Sequence, residues 1–345
     1  MSFNYNIAFK RNIGWLTLDE QNILKNTTVA IGGLGGVGGD HAITLARLGV
    51  ENFNIADFDV FDYSNFNRQA GATVGTVGKS KISVTEKLLL DVNPNIKIKK
   101  FAKGITPENI DQFLEGADIY VDSLDVFALD IRRLVFSKCF DNKIPALSAA
   151  PMGMGVSFTS FLPEKGHSFD KYFGMRDITP KQIKNLDGDV VETNMLKVEI
   201  YIDNIVRFLT GMAPTVQQRH YLIENNGVDL FAKDLPSTKM GIDLAAGALC
   251  TNVLKILLNR GRVVSAPCVI HYDAYLNNLK KTWCPLGANT PRLLIMRQLM
   301  WKRFRLEEKL SCVKGILEKK AYSGSLRHDL KTAEIFEILH EAKVS

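Results

Sequence analysis

The chain has 345 residues, of which 46% are hydrophobic and 23% charged, as in a globular protein with a large buried core. Its net charge of +6 is mild, and acidic residues interrupt the basic C-terminal stretch, so the charge does not indicate a nucleic-acid-binding protein. The N-terminus lacks a basic region followed by an apolar one, and no segment approaches the roughly 20 apolar residues that span a bilayer. We therefore expect a cytoplasmic protein with no nucleic-acid and no membrane partner.

The first half of the chain alternates β-rich segments with amphipathic helical ones. Strands separated by helices of this length pair in parallel through right-handed crossovers. The predicted fold class is therefore α/β, a doubly wound, mostly parallel Rossmann-like sheet whose ligands bind beyond the carboxyl ends of the strands. The predicted strands cover 27–31, 53–56, 96–101, 117–121 and 145–148, and the predicted helices cover 15–25, 40–48, 80–91, 107–114 and 127–140.

The pattern changes after Pro151, where a strand, a polar loop-rich segment and two long helices are predicted before a last strand. These segments predict a C-terminal extension of the sheet and additional helices. The expected domains are an N-terminal α/β core at 1–162, a crossover and substrate-binding region at 163–285 that completes the same domain, and a basic helical tail at 286–345. The predicted elements of this half are the strands 155–161 and 268–271 and the helices 192–209 and 241–258.

A glycine-rich loop follows the first predicted strand and precedes a helix, with Gly33, Gly35 and Gly38 in the spacing GxGxxG. Glycine suits this position because the backbone turns tightly and approaches phosphates closely, while the helix start offers free N–H groups to negative charge. Taken alone, the loop favours a dinucleotide dehydrogenase over an ATP enzyme.

The residues after the second strand separate these two readings. Asp57 lies about 20 residues beyond the loop, where a carboxylate can accept hydrogen bonds from a ribose in either case. The run that ends in Arg68 and Gln69 places a guanidinium and an amide at the phosphate end of the pocket, with Lys79 and Lys81 close behind. Two cations there suit a triphosphate under attack, because charge develops on the pyrophosphate leaving group.

With these residues the sequence, from about Arg11 to Met154 and again in the helix at 241–258, resembles the ThiF/MoeB/HesA group, which includes ubiquitin-activating enzymes and bacterial sulfur-carrier activators. The resemblance implies an ATP-dependent adenylyltransferase that uses ATP and Mg²⁺ and forms a homodimer. The residues that it implies for binding ATP are Gly33, Gly35, Gly36, Gly38, Asp57, Asp59, Asn65, Arg68 and Lys81.

The resemblance also assigns roles. It implies that Asp57 holds the ribose and that Asn65, Arg68 and Lys81 contact the phosphates. It also implies that Asp125 lies near the magnesium-bound triphosphate as the metal-site residue. Arg11, the fourth member of the catalytic set, reaches ATP from the partner subunit of a dimer. Plainer alternatives stay open: the two cations could be solvated helix-end charges, Asp125 a helix cap and Arg11 an ordinary terminal residue. Arg132 and Arg133 are further candidate phosphate ligands, expected at the same end of the sheet.

The five cysteines form no CxxC pair, so we expect no disulfide framework and no zinc, unlike many bacterial members of the group. No cysteine stands where a thioester-forming nucleophile is expected; residues 234–239 occupy that place. Cys250 lies in an apolar helix and is interpreted as a packed hydrophobe, and Cys284 as an unreactive loop thiol.

The adenylation residues are thus complete while the thiol-transfer residues are missing. This combination is similar to members of the group that modify ribosomally made peptides. It implies activation of a carboxylate or amide of a peptide or small protein as an acyl-adenylate. The alternatives are a carrier-protein activator for sulfur or cofactor biosynthesis, a nicotinamide-dependent oxidoreductase and a non-catalytic scaffold.

Overall fold

Eight strands form one sheet in the computed structural model, in the order β3-β2-β1-β4-β5-β6-β7-β8. The neighbours from β3 to β5 pair in parallel, and those from β5 to β8 pair antiparallel. The predicted mostly parallel, Rossmann-like sheet with a C-terminal extension is therefore confirmed. The strands are β1 Thr28–Gly32, β2 Asn52–Ala56, β3 Lys97–Phe101, β4 Ile119–Asp122, β5 Ala146–Met152, β6 Gly155–Phe161, β7 Cys268–Asp273 and β8 Asn278–Trp283.

The structure describes residues 3–223, 228–231, 233, 235–327 and 330–344. The helices there are α1 Tyr5–Ala8, α2 Leu18–Asn26, α3 Gly36–Arg47, α4 Lys81–Val92, α5 Ile110–Leu114, α6 Leu129–Asp141, α7 Phe169–Phe173, α8 Pro180–Asn185, α9 Val190–Met212, α10 Lys239–Leu257, α11 Pro291–Arg303, α12 Leu306–Tyr322 and α13 Thr332–Val344.

The chain divides into two compact units. The first, called the sheet unit, comprises Met1–Asp170, Thr215–His220 and Ser237–Pro285 and holds every strand named above. The second, called the helical unit, comprises Lys171–Pro214, Tyr221–Pro236 and Leu286–Ser345. In the helical unit, α9 packs against α11 and α12, and α12 packs against α13.

Helices cover both faces of the sheet, and the alternation of side chains along β4 shows it. Ile119 and Val121 are fully buried in a core that also contains residues of α3, α4 and α10. Tyr120 lies between them in sequence, and its ring makes edge contacts with Phe113 of α5 and Phe136 of α6. Because successive strand residues point to opposite faces, α5 and α6 cover the face opposite to α3 and α10.

Several elements differ from the sequence prediction. The polar segment that was expected to be loop-rich contains α7 and α8, and two further differences concern the sheet unit. Helix α3 begins at Gly36, about four residues earlier than expected, because the glycines that suggested a longer loop form its first turn. Strand β8 was not predicted, since its sequence Asn278–Trp283 carries two adjacent lysines and little apolar alternation. Its only strand neighbour among the described residues is β7, so it needs no second apolar face.

The outer strands of the sheet, β3 and β8, both carry exposed lysines. Lys99 and Lys100 on β3 form ion pairs with Glu115 and Glu86. Lys280 and Lys281 occupy the middle of β8 and are exposed, as are Leu279 and Trp283 of the same strand.

Helix α10 is the one described helix long and apolar enough to cross a membrane by length and composition. The expectation that no segment approaches the length and hydropathy of a membrane span is therefore wrong for this helix. The helix packs on β5, β6 and α3 within the sheet unit, and Ala245, Leu249 and Val253 are fully buried there. These contacts are those of a core helix that covers one face of a sheet.

Candidate functional site

The predicted site residues follow the carboxyl ends of three neighbouring strands. Gly33 follows β1, Asp57 follows β2, and Asp125 lies three residues beyond β4. The strand order changes direction between β1 and β4, and α/β sheets bind ligands at such a point because the flanking loops diverge and leave a crevice. The fold therefore gathers these residues at one edge of the sheet.

The glycine loop after β1 depends on the absence of side chains. Gly33 has a φ of +87°, and a Cβ there would lie 2.4 Å from the carbonyl oxygen of Ser123. A Cβ on Gly38 would lie 1.9 Å from the carbonyl oxygen of Gly33. The loop thus closes directly onto the start of α3, whose first-turn N–H groups have no partner within the helix. This cradle fits a phosphate group.

Gly35 and Gly36 complete the loop. A Cβ on Gly35 would lie 3.7 Å from Nε2 of Gln69 and 3.9 Å from Nζ of Lys81, so both side chains approach the loop backbone. Gly36 faces Ile242 in the first turn of α10, where a Cβ would meet Cδ1 at 3.1 Å. The loop is therefore bordered by polar donors on one side and by an apolar helix on another.

Asp57 fastens this loop to β2. Its Oδ2 accepts a hydrogen bond from the N–H of Leu34 at 2.6 Å, and its Oδ1 accepts one from the N–H of Asp59 at 2.7 Å. Burial raises the pKa of Asp57, whereas these two hydrogen bonds and the charge of Lys81 lower it. A carboxylate has about four acceptor positions, so two remain for the ribose hydroxyls that the sequence predicts as its partners.

Lys81 is the predicted cation that lies nearest to the loop backbone. It begins α4, is 6% exposed, and its Nζ lies 3.0 Å from Oδ2 of Asp59, whose own side chain is about half exposed. The backbone N–H of Lys81 also donates to the carbonyl oxygen of Asp59 at 3.0 Å. Two bonds to the same residue hold the ammonium group beside Gly35.

Arg68 and Asn65 lie on the turn between β2 and α4. Nη1 of Arg68 donates to the carbonyl oxygen of Ser64 at 2.7 Å and to Oδ1 of Asn67 at 2.9 Å. The amide of Asn65 is buried; its oxygen accepts from the N–H of Asp62 at 3.1 Å. Both side chains thus also stabilise the turn that presents them.

Gln69 supplies the amide that the sequence predicts at the phosphate end of the pocket, although it is not among the residues that the resemblance implies for binding ATP. It is 7% exposed and close to Gly35, and its Oε1 has no hydrogen-bond partner among the described residues. A buried acceptor without a partner calls for a donor from a ligand or a water. Its position directly after Arg68 was the available signal.

Asp125 is exposed, and its Oδ1 accepts from the N–H of Phe127 at 2.9 Å in the loop ahead of α6. The N-cap of that helix is Ala128, so Asp125 is not its cap. Among the described residues no group of three or more His, Cys, Asp or Glu side chains could hold a metal ion. A Mg²⁺ ion at this edge would therefore take one carboxylate from Asp125 and the rest of its ligands from nucleotide phosphates and water, which is its usual manner of binding.

The two arginines of α6 have partners within the fold. Arg132 is 3% exposed, and its Nε lies 2.9 Å from Oδ2 of Asp122. It also donates to the carbonyl oxygens of Leu124 and Asp125, which shapes the loop after β4. Arg133 forms an ion pair with Asp170. These contacts give both guanidinium groups a structural role.

Arg11 is not brought to the loop of its own chain. It is exposed, in a short turn whose Asn12 donates from Nδ2 to the carbonyl oxygen of Leu48 at 3.2 Å. Leu48 lies at the opposite end of α3 from Gly36, about 18 Å away along the helix axis. The role implied for Arg11 therefore requires a second subunit and stays a prediction.

The candidate thiols are buried. Cys250 and Cys284 are both 1% exposed, and burial raises the pKa of Cys250. A thiol that is buried and protonated is a poor nucleophile. The segment before α10, where the thioester cysteine was expected, is held instead by hydrogen bonds from Asn67 to the carbonyl oxygen of Ser237 and from Thr238 to that of Gly153. Asp234, part of the same segment, lies outside the described residues.

Two curated bacterial proteins resemble part of this chain. The tRNA threonylcarbamoyladenosine dehydratase of Bacillus subtilis (strain 168) is 34% identical over 142 residues, which cover 41% of this chain and 55% of that protein. The molybdopterin-synthase adenylyltransferase of Escherichia coli (strain K12) is 32% identical over 148 residues, covering 43% and 59%. The chain thus spans about half the length of the curated relatives that it matches.

Structural similarity to a solved protein covers more of the chain than the sequence matches do. A crystal structure of E. coli MccB with AMPCPP and MccA has a TM-score of 0.58 and 19% identity and covers 85% of this chain and 75% of that one. The model of the ThiF family matches residues 9–290, well over half of the sequence. The chain therefore belongs to the ThiF family.

Proposed function

We propose that this protein is an ATP-dependent adenylyltransferase that activates a carboxylate as an acyl-adenylate and releases pyrophosphate. The observation that carries the proposal is the position of the Lys81 ammonium group, buried and held by Asp59 beside the glycine loop. A nicotinamide cofactor needs no such cation there, whereas a departing pyrophosphate does.

The reaction balances without a protein nucleophile. A substrate carboxylate oxygen attacks the α-phosphorus of ATP, a P–O bond forms to give acyl-AMP, and the bond to the bridging oxygen breaks with release of pyrophosphate. Lys81 and Arg68 offer positive charge to the leaving phosphates, and the glycine loop orients the nucleotide through backbone N–H groups. A magnesium ion held at Asp125 would neutralise further phosphate charge.

For the acyl substrate we propose a peptide or small protein. The neighbour MccB was solved together with MccA, and the likeness extends over most of both chains, beyond the nucleotide half. The buried thiols support capture of the adenylate by a group of the substrate itself rather than by an enzyme cysteine. A carrier protein is the second candidate, since the E. coli relative is named a molybdopterin-synthase adenylyltransferase.

Two further parts of the proposal concern assembly and location. We propose a homodimer in which Arg11 of one subunit reaches the nucleotide of the other, because Arg11 is exposed and about a helix length from its own loop. We also propose a cytoplasmic location, where ATP is available and free thiols stay reduced.

Calorimetric titration tests the nucleotide site first. The wild-type protein is expected to bind ATP with Mg²⁺ and not NAD. Lys81→Ala should weaken ATP binding at least about tenfold, because a charge-assisted contact to phosphate is lost. Lys87→Ala is the matched control: this lysine is exposed on the same helix, and the variant should bind ATP as the wild type does. Preferential binding of NAD would make the oxidoreductase the better reading.

Pyrophosphate exchange into ATP tests the chemistry, with a short peptide or a small carrier protein as the added substrate. Arg68→Ala and Asp125→Ala should each reduce exchange about a hundredfold, in the range expected for lost transition-state contacts. Exchange at the wild-type rate in both variants would show that the assigned site is wrong. The substrate that stimulates exchange decides between the two acyl candidates.

A further inference from the structure

Two arginines of the helical unit share a single carboxylate. Nη1 of Arg176 lies 2.9 Å from Oδ2 of Asp203, and Nε of Arg207 lies 2.8 Å from the same oxygen. Asp203 is on α9 and its side chain is only 10% exposed. One negative charge, largely shielded from water, therefore faces two positive charges.

The two guanidinium groups are held in place by the backbone around them. Nη1 of Arg207 donates to the carbonyl oxygen of Gly174 at 3.0 Å. The side chain of Asn204 holds the backbone of Arg176 through two hydrogen bonds. Oδ1 of Asn204 accepts from the N–H of Arg176 at 2.8 Å, and Nδ2 of Asn204 donates to the carbonyl oxygen of Arg176 at 2.9 Å. The arginines are thus arranged in advance and are not free surface chains.

Arg297 adds a third positive charge from α11, the helix that packs against α9. It is 8% exposed, and its Nη1 is buried without a hydrogen-bond partner among the described residues. Burial lowers the pKa of Arg297, and the charges of Arg207 and Arg176 lower it further, whereas Asp203 raises it. The three guanidinium groups therefore lie within electrostatic reach of one another.

The charges of this arginine cluster, defined as Arg176, Arg207 and Arg297 around Asp203, do not balance. Arginine remains protonated in proteins, so the cluster holds three positive charges against one negative charge. A buried charge without a partner is costly, and structures normally provide a counter-ion or hydrogen bonds for it. Nη1 of Arg297 marks where an acceptor is missing among the residues that the structure describes.

We propose that the arginine cluster is a binding site for an oxyanion, a carboxylate or a phosphate group of a ligand. The planar fork of a guanidinium group matches two oxygens of either anion, and two or three such forks around one point give both affinity and orientation. The site consists of residues of the helical unit alone, and none of them is among the proposed adenylation residues.

The test measures binding of simple anions to the full-length protein. Thermal unfolding and calorimetry are followed with inorganic phosphate, malonate and chloride at equal ionic strength. Phosphate or malonate should bind saturably, and whichever binds more tightly identifies the source of the oxyanion. Arg297→Gln should weaken that binding at least about tenfold, since a charge-assisted hydrogen bond is lost. Arg292→Gln, an exposed arginine on the same helix, should bind as the wild type does.

A second variant guards against a folding defect. Arg176→Gln removes a partly exposed guanidinium and should also weaken anion binding, while its circular dichroism spectrum stays that of the wild type. Binding of both anions at wild-type strength by Arg297→Gln and Arg176→Gln overturns the proposal. So does a stabilisation by phosphate and malonate that is no larger than that by chloride. ATP titration in the same variants should be unchanged, which keeps this outcome distinct from the adenylation tests.

Discussion

In the sheet unit the buried Arg132 is paired with Asp122, whereas in the helical unit the buried Arg297 has an Nη1 without a partner among the described residues. The carboxylate of Asp122 is further satisfied by the hydroxyl of Ser148, which donates to its Oδ2 at 2.8 Å. The first arrangement is complete within the protein and stabilises the loop after β4. The second is incomplete. A buried arginine can thus be part of the scaffold or part of a binding site, and its partners distinguish the two.

The largest expected effect is on the paired arginine. Arg132→Gln leaves the Asp122 charge buried and uncompensated, so the free energy of unfolding should fall by about 3–5 kcal/mol. Urea denaturation followed by circular dichroism measures it. The neighbouring Arg133 has a partly exposed ion pair. Arg133→Gln should therefore lower the free energy of unfolding by about 1 kcal/mol or less. If Arg297→Gln destabilised the protein as much as Arg132→Gln, the contrast between the two units would be wrong.

A smaller loss of stability is expected from a substitution in the glycine loop. It sharpens the comparison between the two units, because in the sheet unit the backbone is also closely packed. Gly38→Ala places a methyl group against the carbonyl oxygen of Gly33, and we expect a loss of about 3 kcal/mol in stability together with ATP binding. Gly39→Ala is the control, since its Cβ would meet only an ordinary contact at 3.6 Å. There the better helix propensity of alanine should leave stability unchanged or raise it by up to about 1 kcal/mol. Equal effects in both variants would contradict the packing described for the loop.

The smallest effect is a dependence on pH from two histidines of the sheet unit. Burial lowers the pKa of His41 to about 3 and that of His271 to about 4. Both stay neutral in the folded protein while the unfolded chain takes up protons below about pH 6.5, so stability falls as pH drops from that value towards 4. At pH 5 the loss is about 2 kcal/mol for each histidine. The urea midpoint of His271→Gln should change less between pH 7 and pH 5 than that of the wild type, and an equal change would show that this histidine is not the cause.

Local patterns made much of the sheet unit predictable from the sequence. The alternation of strands and helices indicated the parallel sheet, and the glycine spacing located the turn after β1, because both depend on residues close together in the chain. Gly33 could be assigned to a turn from the residues next to it in the sequence alone, the preceding strand and the following glycines. The individual roles of Arg68, Lys81 and Asp125 stay predictions, since they depend on a bound nucleotide.

Contacts between distant segments explain what could not be predicted. The isolated acceptor of Gln69 is visible only once the turn after β2 lies beside Gly35. The arginine cluster joins residues from a loop and from two helices, with Arg207 and Arg297 far apart in sequence. Neither residue has a local pattern that separates it from an ordinary surface charge. Strand β8 escaped detection because pairing with β7, rather than its own apolar pattern, makes it a strand.

The lysines on the two outer strands have a consequence for how the molecules behave in concentrated solution. Backbone groups at the rim of a sheet can pair with the rim of another molecule and start aggregation, and lysines there oppose such pairing through charge repulsion and the cost of removing them from water. Lys99 and Lys100 occupy one rim, and Lys280 and Lys281 the other. The lysines that made β8 hard to recognise as a strand thus help to keep separate copies of the sheet from joining edge to edge.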